Sequence, residues 1–175
     1  MIFQISLVIL ALILLLVLIV HLTNSLVGLI AIIKGAPYVP SRKDIIDDIL
    51  AEIHLPKGAR CIDIGSGDGR ITIELAKAGY EAYGIEISPY LALKSRFNIK
   101  RKHVKNAHIY WGDLWGHDLS SYDCIVMYGV GRIMQPLEKK IVKECKPGTL
   151  VISNFFKMPS LKLVTTRSRV KVYTV

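Results

Sequence analysis

The chain has 175 residues, 51% of them hydrophobic, and a formal net charge of +9 at pH 7. That length admits one domain of ordinary size plus an appendage. Its three cysteines, Cys61, Cys124 and Cys145, form no C-x-x-C pair, which excludes a cysteine metal site and a disulfide framework.

The appendage comes first. Residues 1–33 contain no Asp, Glu, Lys or Arg, and Ile5 to Val20 is apolar apart from Ser6. At about 1.5 Å of rise per residue, about 20 apolar residues cross a ~30 Å hydrocarbon core. Met1 to Leu22 is long enough. His21, Thr23, Asn24 and Ser25 mark a polar break, after which Leu26 to Ile33 either continues the span or lies at the interface. A secretory signal normally has a basic start, a shorter apolar core and a small-residue cleavage site. No basic residue precedes this run, so the expectation is an uncleaved, single-pass transmembrane anchor over residues 1–33. Lys34, Arg42 and Lys43 follow it, and the positive-inside tendency then places residues 34–175 in the cytoplasm, with the lipid bilayer as a partner. Every charge lies after residue 33, so the whole +9 belongs to the remainder. Such a domain is drawn to lipid headgroups, nucleic acid or acidic protein.

Residues 34–41 read as a linker, stiffened by Pro37 and Pro40, and residues 42–175 as the folded domain. Ser41 is placed to cap a helix whose apolar residues Ile45, Ile46, Ile49, Leu50 and Ile53 recur at helical spacing. Arg60 to Ile64 is a short β-type run that stops at Gly65, Ser66, Gly67, Asp68 and Gly69, and a helix from Arg70 to Ala78 follows, closed by Gly79. A strand, a tight glycine turn and a helix form a cradle for a ligand, because glycine accepts unusual φ/ψ and lets the ligand lie against the backbone. The dinucleotide fingerprint is G-x-G-x-x-G, and here the third glycine comes one residue early. Asp63 and Asp68 repel a pyrophosphate and suit a ligand carrying positive charge. A glycine-rich turn without any ligand is the alternative.

Glu81 to Glu86 alternates as a second strand, and Glu86 falls 21 residues after Gly65, where open α/β sheets carry the acid that grips a ribose. Pro89 opens a helix to about His103 with a basic outer face (Lys94, Arg96, Lys100, Arg101, Lys102) that suits anionic lipid. Ala107 to Trp111 is the third strand, Asp123 to Tyr128 the fourth and Thr149 to Phe155 the fifth, with a helix over Met134 to Cys145. This alternation predicts an α/β fold with a doubly wound, Rossmann-like parallel sheet. Leu161 to Thr166 and Ser168 to Val175 are β-rich and joined by almost nothing, which predicts a C-terminal antiparallel hairpin at the sheet edge.

The D-x-G-x-G-x-G loop resembles the cofactor loop of class I S-adenosylmethionine (SAM) methyltransferases. Together, Tyr38-Val39-Pro40-Ser41, then D-I-G-S-G-D-G-R, G-I-E-I and G-D-L-W resemble a small methyltransferase family with a P-[YF]-V-P-[ST] motif before the domain. That family includes archaeal protein lysine methyltransferases and membrane-anchored mitochondrial enzymes acting on lysines of the adenine nucleotide translocator and of the c-type ring protein of ATP synthase. The resemblance covers residues 37 to about 155. It implies SAM as cofactor and a lysine side chain of a protein as acceptor. It implies that Asp63, Gly65, Ser66, Gly67, Asp68 and Gly69 hold the methionine moiety, Glu86 the ribose and Asp113 the adenine amino group, with Trp111 or Leu114 flanking the ring. Tyr38 closes over the methyl donor near Tyr128, these two being the catalytic candidates, and no metal is implied. Asn154 is better read as a turn residue than as an amine ligand.

Related nucleic-acid N-methyltransferases carry N-P-P-Y after strand four, where this chain has Met127, Tyr128, Gly129 and Val130, which argues against a nucleic-acid acceptor. Two alternatives remain open. One is transfer to nucleic acid or a small molecule, favoured by the basic charge and by Trp111 and Trp115. The other is a SAM-binding module without activity. The family's usual helix before strand six has no room here, since only Met158 to Ser160 are available for it.

Overall fold

The computed structural model describes residues 2–34, 38–129 and 131–175. Of the linker, residues 35–37 lie outside the described residues, as does Val130. The described elements, in chain order, are α1 (Ile2–Lys34), α2 (Lys43–Ala51), β1 (Arg60–Ile64), α3 (Arg70–Lys77), β2 (Glu81–Glu86), α4 (Pro89–Arg101), β3 (Ala107–Trp111), a 3-10 turn (Leu114–Gly116), β4 (Cys124–Met127), α5 (Gly131–Glu144), β5 (Leu150–Asn154), β6 (Leu163–Arg167) and β7 (Val170–Thr174).

The polar break expected near His21 does not interrupt α1. Thr23 Oγ1 donates toward the carbonyls of Ile19 and Val20 (both 2.9 Å) and Ser25 Oγ toward that of His21 (2.9 Å), so these hydroxyls are satisfied inside the helix. Gln4–Thr23 is long and apolar enough to cross a membrane, with a mean hydropathy of 3.3, and none of it is buried against the rest of the chain.

The strands form one mixed sheet in the order β3-β2-β1-β4-β5-β7-β6. β1 to β5 are parallel, and β7 joins β5 antiparallel with β6 outside it, as the hairpin expectation required. Strands four and five are each one residue shorter at both ends than expected, and α5 begins three residues before Met134. The chain leaves β5 through Phe155 in the left-handed region (φ 76°), so no helix follows there.

Two cores flank the sheet. Beneath α2 and α3 lie Ile49, Cys61, Leu75, Cys124 and Ile152, and beneath α5 lie Ile62, Ile125, Leu137, Ile141 and Val151. All ten are fully buried, each aliphatic one contributing about 1.5–3 kcal/mol. All three cysteines are free and buried, Cys61 opposite Cys124 in the β1/β4 register. The β3 to β4 connection holds only the short 3-10 turn, and aromatic rings cover the sheet where a helix would otherwise lie: Tyr83 stacks on Tyr110 and meets Tyr122 edge-on, with the Arg60 guanidinium 5.0 Å from the Tyr83 ring.

One capping expectation fails. The N-cap of α2 is Arg42, without a side-chain cap. Ser41 is buried one residue earlier, and its carbonyl accepts a hydrogen bond from Arg70 (3.0 Å). This contact ties the linker to the glycine turn, which a local helix signal does not reveal.

Candidate active site

The sheet order reverses between β1, which continues to β2 and β3 on one side, and β4 on the other. In open α/β sheets the crevice beyond the strand ends at this switch point takes the ligand. A cleft of about 540 Å³ lies there, lined by the glycine turn, the end of β2, the 3-10 turn, the end of β4 and the linker.

Gly65, Gly67 and Gly69 all have positive φ (74°, 56° and 80°), as the turn demands. The amides of Gly65 and Ser66 donate to the Ile85 carbonyl (2.9 and 3.1 Å), pinning the turn to β2. Each glycine then does something different. A Cβ on Gly67 would collide with Tyr38 Cε2, so the linker tyrosine is seated directly on this glycine. A Cβ on Gly69 would collide with Ser95 Oγ, and Gly69 is the N-cap of α3 outside the cleft lining. Its glycine is required by packing against α4.

The two aspartates of the turn also part company. Asp68 receives two hydrogen bonds from Arg70 (2.9 and 2.8 Å) and has Lys94 at 3.9 Å, and the Arg70 bonds hold its pKa below the usual carboxylate value. Its backbone carbonyl accepts from Asn98 (2.9 Å). The Tyr38 hydroxyl joins the Asp68–Arg70 pair, and burial followed by the Asp68 charge raises the phenol's pKa. The pair thus clasps the linker onto the loop.

Asp63 is buried, with Thr72 Oγ1 the side-chain donor in reach (3.4 Å) among the described residues. Burial, reinforced by the nearby Glu86 charge, raises its pKa from 3.8 to about 7. A carboxylate held in this condition is set to accept a cation. Glu86 is buried beside it, one oxygen accepting from the Gly67 amide (2.9 Å) and the other from the Ser88 amide (2.8 Å). Those two amides fix its carboxylate, whose remaining lone pairs suit a diol. Ser66 Oγ is buried without a partner in the same cleft wall. Asp113 starts the 3-10 turn, one oxygen accepting from the Trp115 amide (3.1 Å).

Of the residues singled out from sequence, Tyr38, Asp63, Gly65, Ser66, Gly67, Asp68, Glu86, Asp113, Leu114 and Tyr128 line one cleft. Trp111 does not; its indole N–H donates to the Ile87 carbonyl (3.2 Å) and its ring is exposed. Asn154 is buried in β5 opposite Val170 and is not a turn residue. Ser88 was missed, although Ser-Pro ahead of a helix is a cap signal: its hydroxyl caps α4 at the Leu91 amide (3.4 Å) while its own amide holds Glu86. The cleft therefore has acids on its floor, apolar walls (Ile64, Ile85, Met127) and two tyrosines. Those groups fit an elongated ligand with an ammonium at one end and a ribose further along.

The ANTKMT methyltransferase domain family matches over residues 63–165. The lysine N-methyltransferase of Rattus norvegicus that is named for the c-type ring protein of ATP synthase is 38% identical over 124 residues, 70% of this chain and 57% of that protein. A protein-lysine N-methyltransferase of Saccharolobus islandicus (strain REY15A) is 30% identical over 129 residues, 72% of this chain and 80% of that one. Among solved structures, an RNA methyltransferase from Salinibacter ruber in complex with S-adenosyl-L-homocysteine superposes with a TM-score of 0.74 and 31% identity, covering 78% of this chain and 93% of that one. The chain spans about half the length of the ATP synthase methyltransferases it matches.

Proposed function

We propose that this chain, which belongs to the ANTKMT methyltransferase domain family, is a SAM-dependent protein lysine N-methyltransferase acting on membrane proteins. The observation that carries the reading is the buried Asp63–Glu86 pair on the cleft floor, set under a tyrosine from the linker. The names of the rat and archaeal relatives support the lysine acceptor.

SAM, when bound, supplies a methyl group on a sulfonium. Asp63 accepts hydrogen bonds from the ligand's ammonium, Glu86 from its ribose hydroxyls, and Asp113 and Leu114 meet the adenine. Tyr38 and Tyr128 narrow the cleft around the acceptor amine and exclude water. The amine nitrogen gains the N–C bond as the S–C bond breaks, and its surplus proton passes to solvent. A lysine near pKa 10.4 must first be neutral, which costs about 4 to 5 kcal/mol at pH 7, and an aromatic, desolvated mouth lowers that cost. No dedicated base is needed.

In this reading α1 spans the bilayer once, with Lys34, Arg42 and Lys43 on the cytoplasmic side. Only Lys34 to Val39 separate the helix from the domain, a reach of about 20 Å when fully extended. Gly28 of α1 is among the residues at the cleft, in keeping with a mouth held near the headgroups. Native membranes incubated with isotopically labelled SAM and the full-length chain should gain label on a lysine of a membrane protein, identified by mass spectrometry. Label on soluble proteins alone would remove the membrane-substrate reading, and absence of protein label would remove the lysine acceptor.

The Salinibacter relative, an RNA methyltransferase, favours one second reading, RNA as acceptor. RNA binding that weakens steeply with salt, together with label transferred to RNA, would select it.

A further inference from the structure

Outside the cleft, the outer face of α4 stands unexplained by packing. Tyr90, Leu93 and Phe97 follow at i, i+3 and i+7, so they share one face, and they are 58%, 67% and 62% exposed. The helix already packs inward through Ala92 and Ser95, both buried. Three large apolar side chains thus turn to water from a helix that has a satisfied inner face.

The charges around them are of one sign. Residues 87–112 contain no Asp or Glu and six basic residues: Lys94, Arg96, Lys100, Arg101, Lys102 and Lys105. Arg101 sits over the Phe97 ring (6.0 Å to the centroid) and Arg96 donates to the Ile109 carbonyl (2.9 Å). Lys94 and Lys102 have acids from the neighbouring turn and helix at 3.9 Å (Asp68) and 4.0 Å (Glu74). Trp111, 63% exposed, is tied to the residue preceding the α4 cap. An apolar stripe flanked by Lys and Arg, with an aromatic ring at its end and no acid along the helix, matches a helix that lies in the headgroup region of a bilayer. A nucleic acid has no use for Leu93, and an acidic protein surface has little for the whole stripe.

We propose that the outer face of α4, with Trp111, docks on an anionic bilayer surface as a second, peripheral membrane contact. Tyr90 lies both on this face and in the cleft lining, and Gly28 of α1 reaches the same cleft. The two membrane elements therefore meet at the mouth, which docking lays against the headgroups. The proposal rests on α1 only for the orientation of the domain.

The full-length chain carries two tryptophans, so Trp115→Phe leaves Trp111 as a single reporter. Reconstituted in nanodiscs whose lipids are brominated close to the headgroup, with one-third phosphatidylserine, Trp111 emission should fall at least twofold relative to unbrominated discs. High salt, or the double substitution Leu93→Glu with Phe97→Glu, should restore it while the chain stays in the disc. SAM affinity measured by calorimetry should be unchanged in that double variant, showing that it is folded. Equal emission in brominated and plain discs overturns the docking. So does shielding of the face that appears only when a protein partner is added, which would assign it to protein. Loss of the chain from the discs tests the α1 anchor separately and leaves the fluorescence result on α4 to stand or fall alone.

Discussion

The floor and the crown of the glycine turn each carry an aspartate, five residues apart, and the fold treats them in opposite ways. On the crown, Asp68 is neutralised by Arg70, with its pKa lowered, and serves to hold Tyr38 and Ser41. On the floor, Asp63 has no basic partner among the described residues and its pKa stands at about 7. A paired surface carboxylate explains itself structurally, whereas a buried unpaired one costs stability and marks the place where a cationic ligand restores the balance. The same residue type in one turn thus divides into a fastener and a receptor.

Asp63→Asn tests this contrast most severely, because binding and stability should move in opposite directions. SAM affinity should fall by about 100-fold, or on the order of 3 kcal/mol, for a lost charge-assisted bond to the ammonium. The unliganded fold should gain stability at neutral pH. The sign follows from the raised pKa: the folded state holds the Asp63 proton more tightly than the unfolded chain, so this residue's contribution is intact below about pH 4 and is lost as pH rises through about 7. Denaturation should find wild type and variant alike at pH 4 and the variant more stable at pH 7.5. Between pH 5 and 7, SAM affinity of the wild type should rise with pH, and that slope should flatten in the variant. Weaker stability of Asp63→Asn at neutral pH would reverse the assignment.

Glu86→Ala should come next, losing about 30- to 100-fold in SAM affinity, on the order of 2 to 3 kcal/mol. Part of that loss has a structural source, since the variant also frees the Gly67 and Ser88 amides that now donate to the carboxylate. Glu86→Gln retains an acceptor and should recover a portion of the affinity. Unchanged affinity in both would remove Glu86 from the ribose.

The crown should give the smallest binding effects. Tyr38→Ala should lower turnover about tenfold or more while leaving SAM affinity within a few-fold, because the ring lies over the turn and the floor is untouched. Asp68→Asn should keep SAM affinity within a few-fold and weaken the linker clasp by on the order of 1 kcal/mol, read as faster proteolysis near residue 40. If Asp68→Asn matched Asp63→Asn in calorimetry, the division between fastener and receptor would fail.

Residue order alone determined the features that depend on local pattern. Alternation and helical spacing located β1 to β5 and the α/β architecture, and the near-contact of two β-rich runs was enough for the terminal hairpin. The early third glycine and the acid at position 86 pointed to the switch-point cleft, and the charge-free first 33 residues to a long apolar helix. Properties set by distant partners were decided only by the tertiary structure. That Gly67 lies under Tyr38 and Gly69 against Ser95 depends on segments 29 and 26 residues away. Asp68 and Asp63 look equivalent in sequence, and the difference between them comes from the side of the turn Arg70 reaches. Ser41 has a capping residue's identity, yet the bond to Arg70 draws its backbone elsewhere. The stripe on α4 has ordinary helical spacing, and only the packing of Ala92 and Ser95 shows which face is left to solvent. Periodicity reports which residues share a face, whereas burial and charge compensation arise from what the rest of the chain brings against that face.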